Sequence, residues 1–177
     1  MVRGRRNRSG DHLTTEAAVL LPLYGWPDDE PGLVFTERRA DLRRHAGEIS
    51  FPGGRRDPED AGLSATALRE ANEEIGLDPA IVELGEELPA TNTFVTGYRI
   101  HPFVGRIPHP RELDLRPNPA EVETVLSFSL DVLRESYEMR RLVRRGVPIH
   151  TPTYEIEGQL IWGATARILG DALQRLA

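Results

Sequence analysis

Apolar residues in this chain come in short blocks separated by turn-forming clusters. Residues 16–23 contain AAVLLPL, a compact run of the kind a strand shows when both of its faces are covered. The proline, aspartate and glycine cluster over 25–32 reads as a hairpin loop, and 33–38 as the strand returning from it. Residues 47–51 form a short extended piece that leads into Pro52-Gly53-Gly54, where missing side chains let the backbone approach a ligand or metal. Residues 81–88, 99–107 and 122–128 have the β-branched and aromatic content of strands, and 108–119 is a long loop rich in proline and charge. Residues 130–145 look helical but discontinuous. Residues 154–156 and 159–162 read as a hairpin around Gly158, and 164–176 carries Ile168, Leu169, Ala172, Leu173 and Leu176 at helical spacing. Strands interleaved with helices on both faces predict an α/β protein, an α/β/α sandwich with a mixed sheet.

One helix departs from simple amphipathic patterning. It starts somewhere between residues 57 and 64, has Ala65, Leu68, Ala71, Asn72 and Ile75 on its inward side, and stops at Gly76, where a left-handed residue is favoured. Asp57, Pro58, Glu59 and Asp60 supply a turn, a proline suited to the first helical position, and acids suited to a helix N-terminus. At roughly 100° per residue, Glu70, Glu73 and Glu74 share an arc of about 100°. Like charges one turn apart destabilise a bare helix by about 0.2–0.5 kcal/mol. A hard divalent cation removes that penalty, because it takes carboxylate oxygens and keeps waters that a phosphate can replace.

The segment from Gly54 through Asp60 to Arg69-Glu70-Ala71-Asn72-Glu73-Glu74-Ile75-Gly76-Leu77 resembles the signature of the Nudix hydrolases, which cleave nucleoside diphosphates linked to another moiety. Asp60 replaces the usual glutamate, eight residues rather than seven separate it from Arg69, and Ala71 is small for its aliphatic position. Upstream, Thr36-Glu37-Arg38, Arg43, Gly47 and Phe51-Pro52-Gly53-Gly54 resemble the stretch that precedes this box in the coenzyme A pyrophosphatases. Val34-Phe35 stands in place of a leucine pair, and Arg39 in place of a small residue. Thr96-Gly97-Tyr98, Pro102-Phe103-Val104-Gly105 and Trp162-Gly163-Ala164-Thr165-Ala166 extend that likeness towards the C-terminus.

The resemblance implies the Nudix fold and Mg²⁺ or Mn²⁺ as cofactor. It makes Glu70 and Glu74 the leading metal ligands, with Glu73 and the Gly54 carbonyl as further oxygens. Arg69 is implied to orient a glutamate rather than touch substrate. The general base is either a glutamate of the box, Glu70 included, or one on a distant loop, where Glu121 is the preferred candidate; Glu121 read alone could simply flank an edge strand. Arg38 and Arg43 are candidates for phosphate or substrate contact, and Tyr98 for an adenine or pantetheine group. The implied reaction is hydrolysis of the pyrophosphate of coenzyme A and its thioesters. Another dinucleotide such as ADP-ribose, NADH or a diadenosine compound is the alternative substrate. A ligand-sensing or partner-binding module without catalysis is the alternative class.

Composition narrows this picture only slightly. The 177 residues suit one domain, with 1–12 as a flexible basic tail and 13–177 as the folded unit. With no cysteine there is neither a disulfide framework nor a thiolate metal site. No apolar run reaches the roughly 20 residues that span a bilayer, and no apolar stretch follows the arginines of the tail, so a cytoplasmic location without a membrane partner is expected. A net charge of −6 argues against general nucleic-acid binding. There is no lysine, so every fixed positive side chain is a guanidinium able to grip phosphate through two bonds. His45 and His101 are read as surface or supporting positions, and His12, His109 and His150 lack metal-type spacing. The expected partner is a small-molecule substrate, with the chain either a monomer or a homodimer.

Overall fold

The computed structural model describes residues 14–27, 30–41, 47–93, 97–108, 113–144 and 146–176. The basic tail at 1–12, together with Arg43, His45 and His109, lies outside the described residues. Strand β1 (Thr15–Tyr24) is the centre of the molecule. Ala17, Ala18, Leu20, Leu21 and Leu23 are all buried, which is possible only because both faces of the strand are covered. It runs antiparallel to β2 (Gly32–Arg38) and to β4 (Gly53–Arg55), and parallel to β7 (Tyr98–Ile107). The short β3 (Ile49–Ser50) and β8 (Val122–Ser129) flank β2, while β5 (Glu83–Glu87) and β6 (Thr91–Asn92) pair with β7. The mixed sheet is therefore as expected.

Two cores lie on opposite faces of it. Ala18, Leu20, Val34, Phe103 and Ile107 pack against Ala67, Ala71 and Ile75 of helix α1 (Leu63–Ile75). Leu21, Leu23, Leu33 and Phe35 pack against Leu130 and Leu133 of α2 (Leu130–Glu135) and Ile168, Leu169 and Ala172 of α3 (Gly163–Arg175). The layering is that of the predicted sandwich. It has one addition, a second sheet of three antiparallel strands, β9 (Tyr137–Arg144), β10 (Val147–Ile156) and β11 (Gln159–Trp162).

That sheet corrects the expectation for 130–145. Only the first six residues are helical, with the Ser129 hydroxyl capping the Val132 N–H. The Glu, Met, Arg and Leu content of 137–144 favours helix locally, but these residues pair one by one with β10, from Tyr137 opposite Tyr154 to Arg144 opposite Val147. Tertiary pairing overrides a weak local preference. Helix α1 starts at Leu63, inside the expected 57–64 range, and residues 57–60 form the expected turn, closed by Asp60 N–H on Asp57 O at 3.1 Å; but Pro58 is not at the first helical position and the first turn holds no acid. Of the expected inward positions, Ala71 and Ile75 are buried and Leu68 packs against the same core, whereas Asn72 is exposed; Thr66, Ala67 and Glu74 are buried beside them. Gly76 ends the helix at φ 67°, as its position predicts, with its N–H on Asn72 O.

Ala71 has no exposed surface, so its small size lets α1 lie close to β1. Ala71→Leu, although closer to the family's aliphatic pattern, is expected to overpack this contact and cost about 1–3 kcal/mol, read from urea unfolding.

Candidate active site

The site is built where β4 passes between β1 and α1. Ala18 lies opposite Gly54 and Val19 opposite Gly53. A Cβ on Gly53 would come within 2.3 Å of the Ala18 carbonyl oxygen, and one on Gly54 within 2.5 Å of the Glu70 carboxyl. Glycine is therefore a steric requirement at Gly53, where the close atoms are backbone; at Gly54 a side chain would displace the Glu70 carboxyl. Through the space this leaves, Glu74 Oε2 accepts the Gly53 N–H at 3.2 Å.

Glu74 is only 6% exposed. Burial pushes its carboxyl up to about 8; Glu70 and Glu121 add repulsion, while the Gly53 N–H and the Arg38 charge oppose the rise. Its place in the last turn of α1, the negative end of the helix dipole, disfavours an anion further. Glu70 is raised too, chiefly by burial, with Arg69 pulling the other way.

Arg69 lies among these acids and bonds to several of them. Its guanidinium donates to Asp60 at 2.9 and 3.1 Å, to Glu73 Oε2 at 3.1 Å and to the Arg55 carbonyl at 3.2 Å, and it lies 3.0 Å from Glu70 Oε1. Asp60 is a full partner in this arrangement despite its shorter side chain and longer spacer. It also receives the Thr66 hydroxyl at 2.8 Å and the Asp57 N–H at 2.9 Å, and these donors hold its carboxyl well below the usual range.

Of the expected ligands, the structure brings Glu70 and Glu74 together against the glycine strand. Glu73 sits at the exposed edge, engaged by Arg69. Among the described residues no three acids or histidines converge into a ready-made metal cage. The donors present still fit Mg²⁺ or Mn²⁺: all are oxygens, two are carboxylates that repel one another while partly desolvated, and such ions commonly bind through one or two carboxylates plus water and substrate phosphate. Arg38, at the end of β2, acts on Glu74 through space. Arg43 lies outside the described residues. Glu121 is exposed, at the end of the loop before β8, and its charge bears on both Glu70 and Glu74. Tyr98 opens β7 opposite Thr15, three residues along β1 from the level of Gly54, so it is separated from the carboxylates by about 10 Å of strand.

Sequence reasoning passed over two features. Asn118 N–H donates to Glu74 O at 2.8 Å and Arg116 N–H to Ile75 O at 2.7 Å, tying the Glu121 loop to the end of α1. The Asn118-Pro119 pair is the turn signal that pointed there. His101 is clamped by Glu16 on Nε2 and Glu87 on Nδ1, each at 2.6 Å. Its two nitrogens face opposite acids, which agrees with a supporting position.

Comparison with known proteins accords with this geometry. The NUDIX domain profile matches residues 16–146. An uncharacterized Nudix hydrolase NudL from Photorhabdus laumondii is 40% identical over 162 residues, covering 90% of this chain and 84% of its own. The NUDIX domain of Shewanella oneidensis NrtR, solved with ADP ribose, superposes at a TM-score of 0.65 with 16% identity, over 97% of this chain and 94% of that one. A C. elegans Ap4A hydrolase complex does so at 0.53 with 16% identity, over 65% and 80%. The chain belongs to the Nudix hydrolase family.

The raised Glu74 carboxyl couples stability to pH. Between about pH 4.5 and about pH 8 the metal-free folded state holds a proton that the unfolded state has released, so stability falls as pH rises through that window. Urea midpoints of metal-free protein should decline across it. Glu74→Gln should weaken the decline, and Mg²⁺ should stabilise wild type increasingly as pH rises.

Proposed function

We propose that this Nudix hydrolase splits the pyrophosphate of coenzyme A and its thioesters, giving 4′-phosphopantetheine and adenosine 3′,5′-bisphosphate. The observation that carries this reading is the placing of the described parts of 36–54, residues 36–41 and 47–54, beside Glu70 and Glu74. This is the segment that resembles the coenzyme A pyrophosphatases; within it Gly53-Gly54 of β4 lie against Glu74 and Glu70, and the Arg38 charge at the end of β2 bears on Glu74. A bound divalent ion supplies charge neutralisation on phosphoryl oxygens and a more acidic water.

The chain's own residues supply the rest. Glu70, Glu74 and the Gly54 carbonyl hold the ion, with Glu73 at the outer edge of the same site. Arg69, fixed by Asp60, aligns Glu70. Arg38 and Arg43 are matched to phosphate oxygens by their forked donors. Glu121 takes the proton of the attacking water as its oxygen bonds to one phosphorus, the bridging P–O bond breaks, and the other phosphate leaves with the bridging oxygen. Tyr98 serves a more distant part of the substrate.

A second reading has specific support: solved structures of similar fold are an Ap4A hydrolase and a Nudix domain complexed with ADP ribose. A comparison of kcat/KM for coenzyme A, acetyl-coenzyme A, ADP-ribose, NADH and diadenosine tetraphosphate, with Mg²⁺ and with Mn²⁺, decides between them. Coenzyme A species should rank first, and a preference for ADP-ribose would transfer the assignment. Turnover of none of them, with binding retained, would favour a sensing module.

Two substitutions check the site. Arg69→Ala should cost about 10–100-fold in activity or metal affinity, because it removes an orienting partner. Glu121→Gln should lower kcat by about 10²–10⁴-fold, the usual contribution of a positioned base. Unchanged kcat across pH would remove Glu121 from the mechanism.

A further inference from the structure

Arg39 follows the last residue of β2 and touches neither Glu70 nor Glu74 in any hydrogen bond or ion pair among the described residues. It is instead bonded to the turn that carries Glu121. Its backbone N–H donates to Glu121 O at 3.1 Å, and its Nη1 donates to Pro119 O. The rest of its fork is committed to Asp41, with Nε on Oδ1 at 2.9 Å and Nη2 on Oδ2 at 2.7 Å. That bidentate pairing fixes the guanidinium plane and so aims Nη1 at the proline carbonyl.

The other side of the turn is tied to α1. Asn118 N–H bonds to Glu74 O, while Asn118 O accepts the N–H groups of Glu121 at 3.0 Å and Val122 at 2.9 Å. The Asn118 side chain closes the turn on Ala120 N–H at 3.1 Å. The turn is thus suspended between the helix that supplies Glu70 and Glu74 and the arginine beside Arg38. Without the guanidinium it keeps its helix tether and loses the side-chain tether to the β2 end.

We infer that Arg39 is a positioning residue: with Asp41 it clamps the Pro119–Glu121 turn and so fixes where Glu121 stands relative to α1. This rests on the assignment of Glu121 as base made above. Lysine is no substitute, because an ammonium lacks the planar fork that holds Asp41 and a carbonyl at once.

A double-mutant cycle tests the inference, with kcat and KM measured for coenzyme A, or for ADP-ribose should the substrate panel favour it. Arg39→Ala should lower kcat by about 10–100-fold, the scale of a misplacement near 1 Å, with KM changed less than about twofold. The Mn²⁺ concentration for half-maximal rate should stay at the wild-type value, and Arg39→Lys should not rescue. In a Glu121→Gln background the same substitution should cost less than about twofold, because there is no longer a base to position. Equal losses in both backgrounds would overturn the clamp while leaving Glu121 as base. Full kcat in Glu121→Gln alone would overturn the base assignment and the clamp with it. Asp41→Asn is the second probe, should Arg39→Ala lower Tm: it keeps the guanidinium and the Arg39 N–H bond to Glu121 O, and loosens only the pairing that aims Nη1. It should give a smaller kcat loss that also vanishes with Glu121→Gln, and a loss that persists there would count against the clamp.

Discussion

Two carboxylates that water would otherwise keep apart are held at the buried edge of one helix, against a strand that has no side chains there. Burying charge is expensive unless it is compensated, so Glu70 and Glu74 set terms that the surrounding structure has to meet. The glycine pair gives them room and one N–H donor. Arg69 offsets the charge of Glu70, and Arg38 acts on Glu74 from the far side. What remains is a pair of partly neutralised oxygen donors open to a small hard cation. The repulsion that makes the site poor as packing makes it selective as a ligand set.

The supports form a chain outward from that pair. Asp60 fixes Arg69, and the Asp57–Asp60 turn fixes Asp60. On the opposite side, carbonyls of the final turn of α1, which have no partners within the helix, accept N–H groups from the 113–121 loop. The end of the helix that carries Glu74 is therefore also the anchor of the loop that carries Glu121. The Glu70–Glu74 pair and Glu121 thus share one frame, the arrangement in which small displacements between them are hardest to make.

β1 makes this frame stiff. Its buried faces join α1 on one side to α2 and α3 on the other, and its parallel pairing with β7 runs the full length of the strand, from Thr15 to Tyr24. The helix that carries Glu70 and Glu74 thus packs on the most buried strand of the sheet. The 36–54 segment is held by backbone pairing between β2 and β3, with Arg38 N–H on Glu48 O and Gly47 N–H on Arg38 O.

Much of this was legible in the amino-acid order, because the signals are local. The apolar run of β1, the hairpin around Gly158, the left-handed stop at Gly76 and the spacing of Glu70, Glu73 and Glu74 all depend on neighbours within a few residues. Local periodicity could not decide matters that depend on distant partners. Residues 137–144 became a strand because β10 lay beside them. Glu74 is buried where β4 offers it an N–H, and Asp60 keeps a structural role because Arg69 reaches it across eight intervening residues. Arg39 read only as an arginine where a small residue is common; its bonds to residues 119 and 121, some eighty positions away, exist only once β2 and the loop before β8 are brought together. The sequence alone determined the chemistry of the site, since carboxylates at helical spacing carry it wherever they fold. Tertiary structure decided how that chemistry is aimed, because aim is set by hydrogen bonds between elements that no short window contains.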